Sequence, residues 1–200
     1  ERLGDKARFF TLDITSEAGW KDCIASIIDW AGRLNTLVNN AGVSLSDKLD
    51  ELEFETWRKV LNVNLDGVFL GCRHAMPELA RSPGGSIVNV ASVWGLKPHA
   101  HRLAYSSSKA GVTMLTKSLA LYCAEAGSGV RVNSVHPGGV MTDMVTKQIP
   151  KDASAREAAL SAIAAAHPLG FLADPDDIAN AIAFLCGPEA RFITGAELAV

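Results

Sequence analysis

The run Tyr105-Ser106-Ser107-Ser108-Lys109 sets a phenol and an ammonium four residues apart, a spacing that puts both on one face of a helix, one turn from each other. A free tyrosine titrates near pH 10 and is a poor base at neutral pH, but an adjacent positive charge favours its phenolate. Lowering the value by about two to three units takes about 3 to 4 kcal/mol of differential stabilisation. Such a pair can exchange a proton with a bound hydroxyl or carbonyl. Taken alone, Tyr-x-x-x-Lys is a weak signal, because a chance pair on a solvated helix face has the same pattern.

Ser92 closes the strand-like run Ser86-Ile87-Val88-Asn89-Val90, thirteen residues before Tyr105. That places a hydroxyl at the C-terminal edge of an expected sheet, where open α/β folds hold their ligands. There it could donate to a reacting oxygen, or simply satisfy the strand end. Asn39-Asn40-Ala41-Gly42 follows another such run, Leu34 to Val38. Amides and a glycine at that edge permit close backbone approach to a ligand, and they also suit a plain turn. Asn64 sits among Leu61, Val63, Leu65, Val68 and Phe69, where a polar side chain that competes for backbone hydrogen bonds needs a reason.

The elements that must position these residues follow from periodicity. Apolar, β-rich runs alternate with longer stretches at helical spacing, which predicts a parallel sheet covered by helices on both faces. Arg8 to Asp13 is the first expected strand; Ser16 then caps a helix carrying Trp20, Cys23, Ile24, Ile27, Ile28 and Ala31. Leu34 to Val38 is the next strand, Trp57 to Leu79 a long helix ending near Pro77, and Ser86 to Val90 a strand after the Pro83-Gly84-Gly85 break. A helix from about Tyr105 to Ala126, a strand from Val130 to Val135 and a sharp exit at Pro137-Gly138-Gly139 come next. Asp174-Pro175 opens a last helix to about Leu185, and Leu198 to Val200 begins a final strand. One domain over residues 1–200 is the natural reading of this length.

Composition removes several classes of partner. The 19 basic and 22 acidic residues are interspersed, for a formal charge of −3, so no basic stripe is available and nucleic acid is not expected. No apolar run reaches the roughly 18 to 20 residues that span a bilayer, and Glu1-Arg2-Leu3-Gly4-Asp5 is unlike a signal peptide; a cytoplasmic, membrane-free protein is expected. Cys23, Cys72, Cys123 and Cys186 lie far apart in apolar stretches and read as buried thiols of a reducing compartment. His99 and His101 have no acidic or cysteine partner beside them, so no metal site is expected.

In combination, Asn39-Asn40-Ala41-Gly42, Asn62-Val63-Asn64-Leu65, Ser92, Tyr105 with Lys109, and Asn133 with Pro137-Gly138 resemble the landmarks of the short-chain dehydrogenase/reductase family in order and spacing, over essentially the whole chain. The resemblance implies a Rossmann-like doubly wound sheet and a cofactor, NAD or NADP, with NAD slightly favoured. It implies that Ser92 polarises the substrate oxygen and that Tyr105 gives or takes its proton. Lys109 would bind the nicotinamide ribose and lower the tyrosine pKa, and Asn64 would hold a water for proton return. By the same resemblance Asp13 and Ile14 border the adenine, and Asn40, Ala41 and Gly42 line the adenosine ribose and the middle of the cofactor. The resemblance likewise implies that Pro137, Gly138, Val140 and Thr142 form the turn beside the nicotinamide. Asn133 is expected to brace the backbone.

Trp94 and Met144, with Leu96, Pro98, His99 and His101, are expected to join Ser92 and Tyr105 at the substrate. The stretch from Ala120 to Thr142 looks most like bacterial hydroxysteroid and cyclic-alcohol dehydrogenases, which implies a hydrophobic secondary alcohol or its ketone. A 3-oxoacyl-carrier-protein-type carbonyl reductase is the alternative enzyme, and a cofactor-sensing binding module the alternative without turnover. Such sensors commonly lose the tyrosine or lysine, both present here.

Two departures from the family pattern stand out. Ala91 occupies a position where many relatives have a second serine. No glycine-rich turn precedes Arg8, so the family's opening strand, phosphate loop, helix and second strand, and a short C-terminal tail, are expected to be missing from these 200 residues. Ile149 to Pro168, rich in alanine, is expected to be a mobile helical lid. The helices Trp57–Leu79 and Tyr105–Ala126 are apolar beyond one stripe, and the resemblance implies a homodimer or homotetramer through them.

Overall fold

The structure, a computed structural model, describes residues 4–45, 48–147 and 149–200; Glu1, Arg2 and Leu3 of the polar start lie outside the described residues. Four strands, β1 (Thr36–Asn39), β2 (Ser86–Val90), β3 (Arg131–His136) and β4 (Glu197–Ala199), lie parallel in the order β1-β2-β3-β4. Thr36 faces Ser86, Ser86 faces Arg131, and Ser134 faces Glu197. Parallel neighbours cannot be joined by a tight turn, so helices fill the crossovers. β2 is buried along its whole length, as a strand covered on both faces must be.

Residue parity separates the two faces. Ile87 and Val132 enter one core, with Trp20 and Ile24 of α1 (Glu17–Ala31), and with side chains of α3 (Gly67–Arg81) and α4 (Leu103–Glu125). Val88 and Val135 enter the other, against Ile178 and Leu185 of α7 (Pro175–Cys186). Both faces are therefore covered by helices, as the alternating pattern requires. Ser16 starts α1 by accepting from the Gly19 N–H, and Gly32, at φ 73°, ends it in the left-handed region that glycine tolerates.

Below the C-terminal edge of the sheet a buried polar chain fixes the elements that carry the site. Asn39 Nδ2 donates to Asn89 Oδ1 at 2.9 Å, and Asn89 Nδ2 donates to Thr116 Oγ1 at 2.9 Å, linking β1, β2 and α4. Asn133 braces the backbone: it donates to the Ile193 carbonyl at 2.9 Å and accepts from Ala196 N–H at 3.0 Å, which sets the entry to β4.

Two expected elements differ. Arg8 to Asp13 runs without strand structure, and Phe9 is 87 % exposed; a strand exists only where a neighbour accepts its ladder, and none pairs with this segment among the described residues. The long helix is three pieces: α2 (Phe54–Leu61), a π turn (Asn62–Asp66) and α3. The π turn inserts a residue into the helical repeat, as such turns do at functional sites, and it carries Asn64. Pro77 lies inside α3, which continues to Arg81. Most other boundaries shift by a residue or two, β1 taking in Asn39 and β3 taking in His136, and the helix expected in Ile149 to Pro168 spans Ala153–Ala165. No helix among the described residues is long and apolar enough to cross a membrane.

Candidate active site

Ser92, Tyr105 and Lys109 converge where β2 and β3 end. Ser92 has left β2 in an extended conformation and caps a 3-10 turn, Val93–Gly95, its Oγ accepting from Trp94 N–H at 3.1 Å. Tyr105 and Lys109 lie one turn apart near the start of α4. The Ser92 side chain stands near enough to the Tyr105 hydroxyl to pull its pKa down. The Lys109 Nζ lies 5.8 Å from the centroid of the Tyr105 ring and donates to the Val90 carbonyl at 2.7 Å. Gly95 makes this approach possible, since a Cβ there would stand 2.8 Å from the Lys109 carbonyl carbon.

Burial controls both acidities. It pushes the Tyr105 phenol above its ordinary value, while the Ser92 side chain and the Arg102 charge pull it back. It pulls Lys109 down to about 8. The groups that lower the tyrosine in this geometry are Ser92 and Arg102.

Asn64 is fully buried, and its amide is engaged with protein groups: Oδ1 accepts from Val43 N–H at 2.8 Å, and Nδ2 donates to the Val43 carbonyl at 2.9 Å and to Ser108 Oγ at 3.0 Å. The π turn thus clamps the loop after β1 onto α4. Gly42 sits in that clamp: a Cβ built on it would lie 3.2 Å from Asn64 Oδ1 and 3.5 Å from Lys109 Nζ.

Ile14, Asn40 and Ala41 line one cleft of about 200 Å³ with Leu12, Trp20, Val38 and Gly67. Asp13 is beside it, but its exposed carboxylate accepts from the Thr15 N–H at 2.9 Å and hydroxyl at 2.8 Å, which holds its pKa down. Pro137, Gly138 and Val140 form the exit from β3: the Pro137 carbonyl accepts from Val93 N–H at 3.1 Å, Gly138 N–H donates to the Val200 carbonyl at 2.8 Å, and buried Val140 bridges to Ala173. Thr142 precedes α5 (Asp143–Thr146), and its hydroxyl lies 3.4 Å from the Val140 carbonyl. Met144, on α5, is exposed. The Trp94 ring meets Tyr105 edge-on at 6.1 Å and His99 at 4.7 Å. A second groove, about 400 Å³ between α1 and α3, contains none of these residues. Among the described residues no group of His, Cys, Asp and Glu could hold a metal ion.

A family model described as Enoyl-(Acyl carrier protein) reductase matches residues 1–200. The chain is 38 % identical to 2,5-dichloro-2,5-cyclohexadiene-1,4-diol dehydrogenase LinX of Sphingobium indicum over 98 % of this chain and 75 % of that one. It is 36 % identical to 3-beta-hydroxysteroid dehydrogenase of Comamonas testosteroni over 98 % of this chain and 76 % of that one. The chain belongs to the short-chain dehydrogenase/reductase family. Ligand-free aldohexose dehydrogenase of Thermoplasma acidophilum superposes with a TM-score of 0.90 at 33 % identity, covering 99 % of this chain and 80 % of that one. As a short-chain dehydrogenase/reductase, the chain is an oxidoreductase with a Rossmann-like sheet.

Three residues beside this candidate site of the short-chain dehydrogenase/reductase escaped the sequence reading. The Arg102 guanidinium lies 5.7 Å over the Trp94 ring, close enough for its charge to act on Tyr105. His167 Nε2 accepts from Gly139 N–H at 2.7 Å and its Nδ1 lies 2.7 Å from the Ile163 carbonyl, so it ties α6 (Ala153–Ala165) to the turn after β3. His136 lies behind Ser92. Each owes its place to contacts across 28 or more positions, or to a loop, for which periodicity has no signature.

Proposed function

We propose that this chain interconverts a hydrophobic secondary alcohol, such as a hydroxysteroid or cyclic alcohol, and its ketone with NAD or NADP, NAD slightly favoured. The observation that carries the reading is the convergence of Ser92, Tyr105 and Lys109 at the sheet edge, with Ser92 near enough to the phenol to lower its pKa and Lys109 Nζ 5.8 Å from the ring centroid. Both relatives named above act, by name, on ring-borne hydroxyls.

In this reading Ser92 donates to the substrate oxygen while Tyr105 moves the proton to or from it. Burial keeps the unliganded phenol protonated, which suits it to deliver a proton to a ketone; oxidation requires added positive charge to favour the phenolate. Lys109, close to neutral in acidity, is the residue to accept and pass on that proton. Asn64 holds the loop over Lys109, with a second lone pair on Oδ1 placed to take a water beside Gly42. Trp94 and Met144 border the substrate.

The residues present fit a dinucleotide. The cleft of Ile14, Asn40 and Ala41 takes the adenosine end, with Asp13 beside it, and Gly42 leaves open a point that any side chain would crowd against Asn64 and Lys109. Pro137, Gly138, Val140 and Thr142 would hold the nicotinamide end with Tyr105 and Lys109. When bound, that group supplies the carbon that takes or gives hydride. The free thiols suit a cytoplasmic enzyme, and exposed apolar side chains on α3 and α4 suit a homodimer or homotetramer.

The test is a screen of steroid, cyclic and linear secondary alcohols for reduction of NAD against NADP. Tyr105→Phe, assayed on the alcohol turned over fastest, abolishes turnover and leaves the cofactor dissociation constant near wild type. Substantial activity in that variant rejects the role of Tyr105.

A further inference from the structure

Behind Ser92 sits a buried imidazole for which the chemistry above has no task. His136, the last residue of β3, has no exposed surface. Its Nδ1 lies 3.0 Å from the Ser92 carbonyl oxygen and its Nε2 2.8 Å from Ser134 Oγ. A carbonyl only accepts, so Nδ1 carries the proton and donates to Ser92; in the neutral ring Nε2 then accepts from the Ser134 hydroxyl. Ser134 Oγ also lies 3.2 Å from the Ala196 carbonyl, a longer contact than the 2.8 Å to Nε2, so with the ring neutral its one proton has two acceptors and the imidazole is the nearer. Burial favours the neutral ring, helped by Lys117 and Lys109, against the Ser92 carbonyl and Glu197, which favour the charged one.

The Ser92 carbonyl is a junction. It accepts from Gly95 N–H at 2.9 Å as well as from His136, while the hydroxyl of the same residue accepts from Trp94 N–H at 3.1 Å and stands near enough to Tyr105 to lower its pKa. The register of β2 against β3 ends at Val90 and Val135. Past that point the His136 side chain joins the end of β3 to the backbone of Ser92.

We propose that His136 is a positioning residue for Ser92: its Nδ1–H holds the Ser92 carbonyl, and with it the turn that sets the Ser92 hydroxyl beside Tyr105, and Ser134 fixes the orientation of the ring. The assignment rests on the proposed reaction and adds a residue to it that touches neither substrate nor cofactor.

The decisive comparison is His136→Leu, which keeps bulk and removes the donor, against His136→Asn, whose amide N–H can replace Nδ1–H. In the purified enzyme, with the alcohol found by the screen, His136→Leu lowers kcat by about fivefold to tenfold, the worth of one hydrogen bond. The cofactor dissociation constant stays unchanged, and His136→Asn recovers kcat to within about twofold at a Tm like that of the leucine variant. Equal kcat losses in the two variants, wild-type kcat in folded His136→Leu, or weakened cofactor binding that accounts for the loss would each overturn the proposal. If His136→Leu does not fold, Ser134→Ala decides: it frees the ring to reorient, and a kcat about threefold lower supports the role, whereas wild-type kcat overturns it. Tyr105→Phe run alongside separates the two assignments, since activity there counts against Tyr105 and leaves the His136 comparison to be judged on its own.

Discussion

Lys109 carries a cost of burial. Its Nζ is buried and bonded to a single carbonyl, and burial draws its pKa from 10.5 to about 8. Between those values the unfolded chain holds a proton that the folded chain has released, so this residue makes stability rise with pH from about 8 to 10.5; below about 8 both states are charged and the full cost of burying the charge remains. Lys109→Met removes that dependence. The stability of wild type minus that of the variant is expected to rise by on the order of 2 to 3 kcal/mol across the window and to stay flat below pH 7.5. Tyr105 and Cys72, whose pKa values are raised, work in the opposite direction in alkali, but they are common to both proteins and cancel in the difference. Urea unfolding at pH 7, 8, 9 and 10 measures it; a difference constant with pH would refute the assigned shift.

At the scale of elements, the turn Val93–Gly95 and the helix α4 act as one piece. A Cβ on Gly95 would lie 2.8 Å from the Lys109 carbonyl carbon, 2.9 Å from its oxygen and 3.0 Å from Ala110 N. All three are backbone atoms, which cannot swing aside as a side-chain tip can. Gly95→Ala is therefore expected to cost about 1 to 3 kcal/mol and to reduce kcat as well, because the turn carries Ser92 and Trp94 at one end and meets Lys109 at the other. Unchanged turnover in the variant, with a lowered Tm, would show that turn and helix are not coupled in this way. The same reasoning describes α6: none of its residues is buried, and His167 is the side chain that fastens its end to the turn at Gly139.

The whole molecule leaves apolar surface where a covering partner is expected. On α4, Met114, Leu121 and Tyr122 are 61 %, 67 % and 59 % exposed, and on α3 Phe69 is 43 % exposed. Clusters of this kind mark association surfaces. Sedimentation is expected to give the mass of two or four copies, and Leu121→Glu combined with Met114→Glu to lower it without loss of far-UV helical signal. A single-copy mass for the wild type would exclude assembly through these helices.

Much of this was written in one dimension. The alternation of apolar runs fixes a helix-covered parallel sheet because only hydrogen-bonded strands flanked by amphipathic helices bury that pattern, and Tyr-x-x-x-Lys on a helix fixes its own geometry through the 3.6-residue repeat. Tertiary contacts decided the rest. Arg8 to Asp13 has strand composition yet forms none, because a ladder needs a neighbour that local sequence does not supply. Asn64 was visible as an oddity, but its π turn and its bonds to Val43 and Ser108 depend on segments 21 and 44 positions away. His136 could not be told from any other strand-end residue until β3 was laid beside β2. A hydrogen bond between distant segments leaves no period in the chain, so its partners become known only when the backbone brings them within reach.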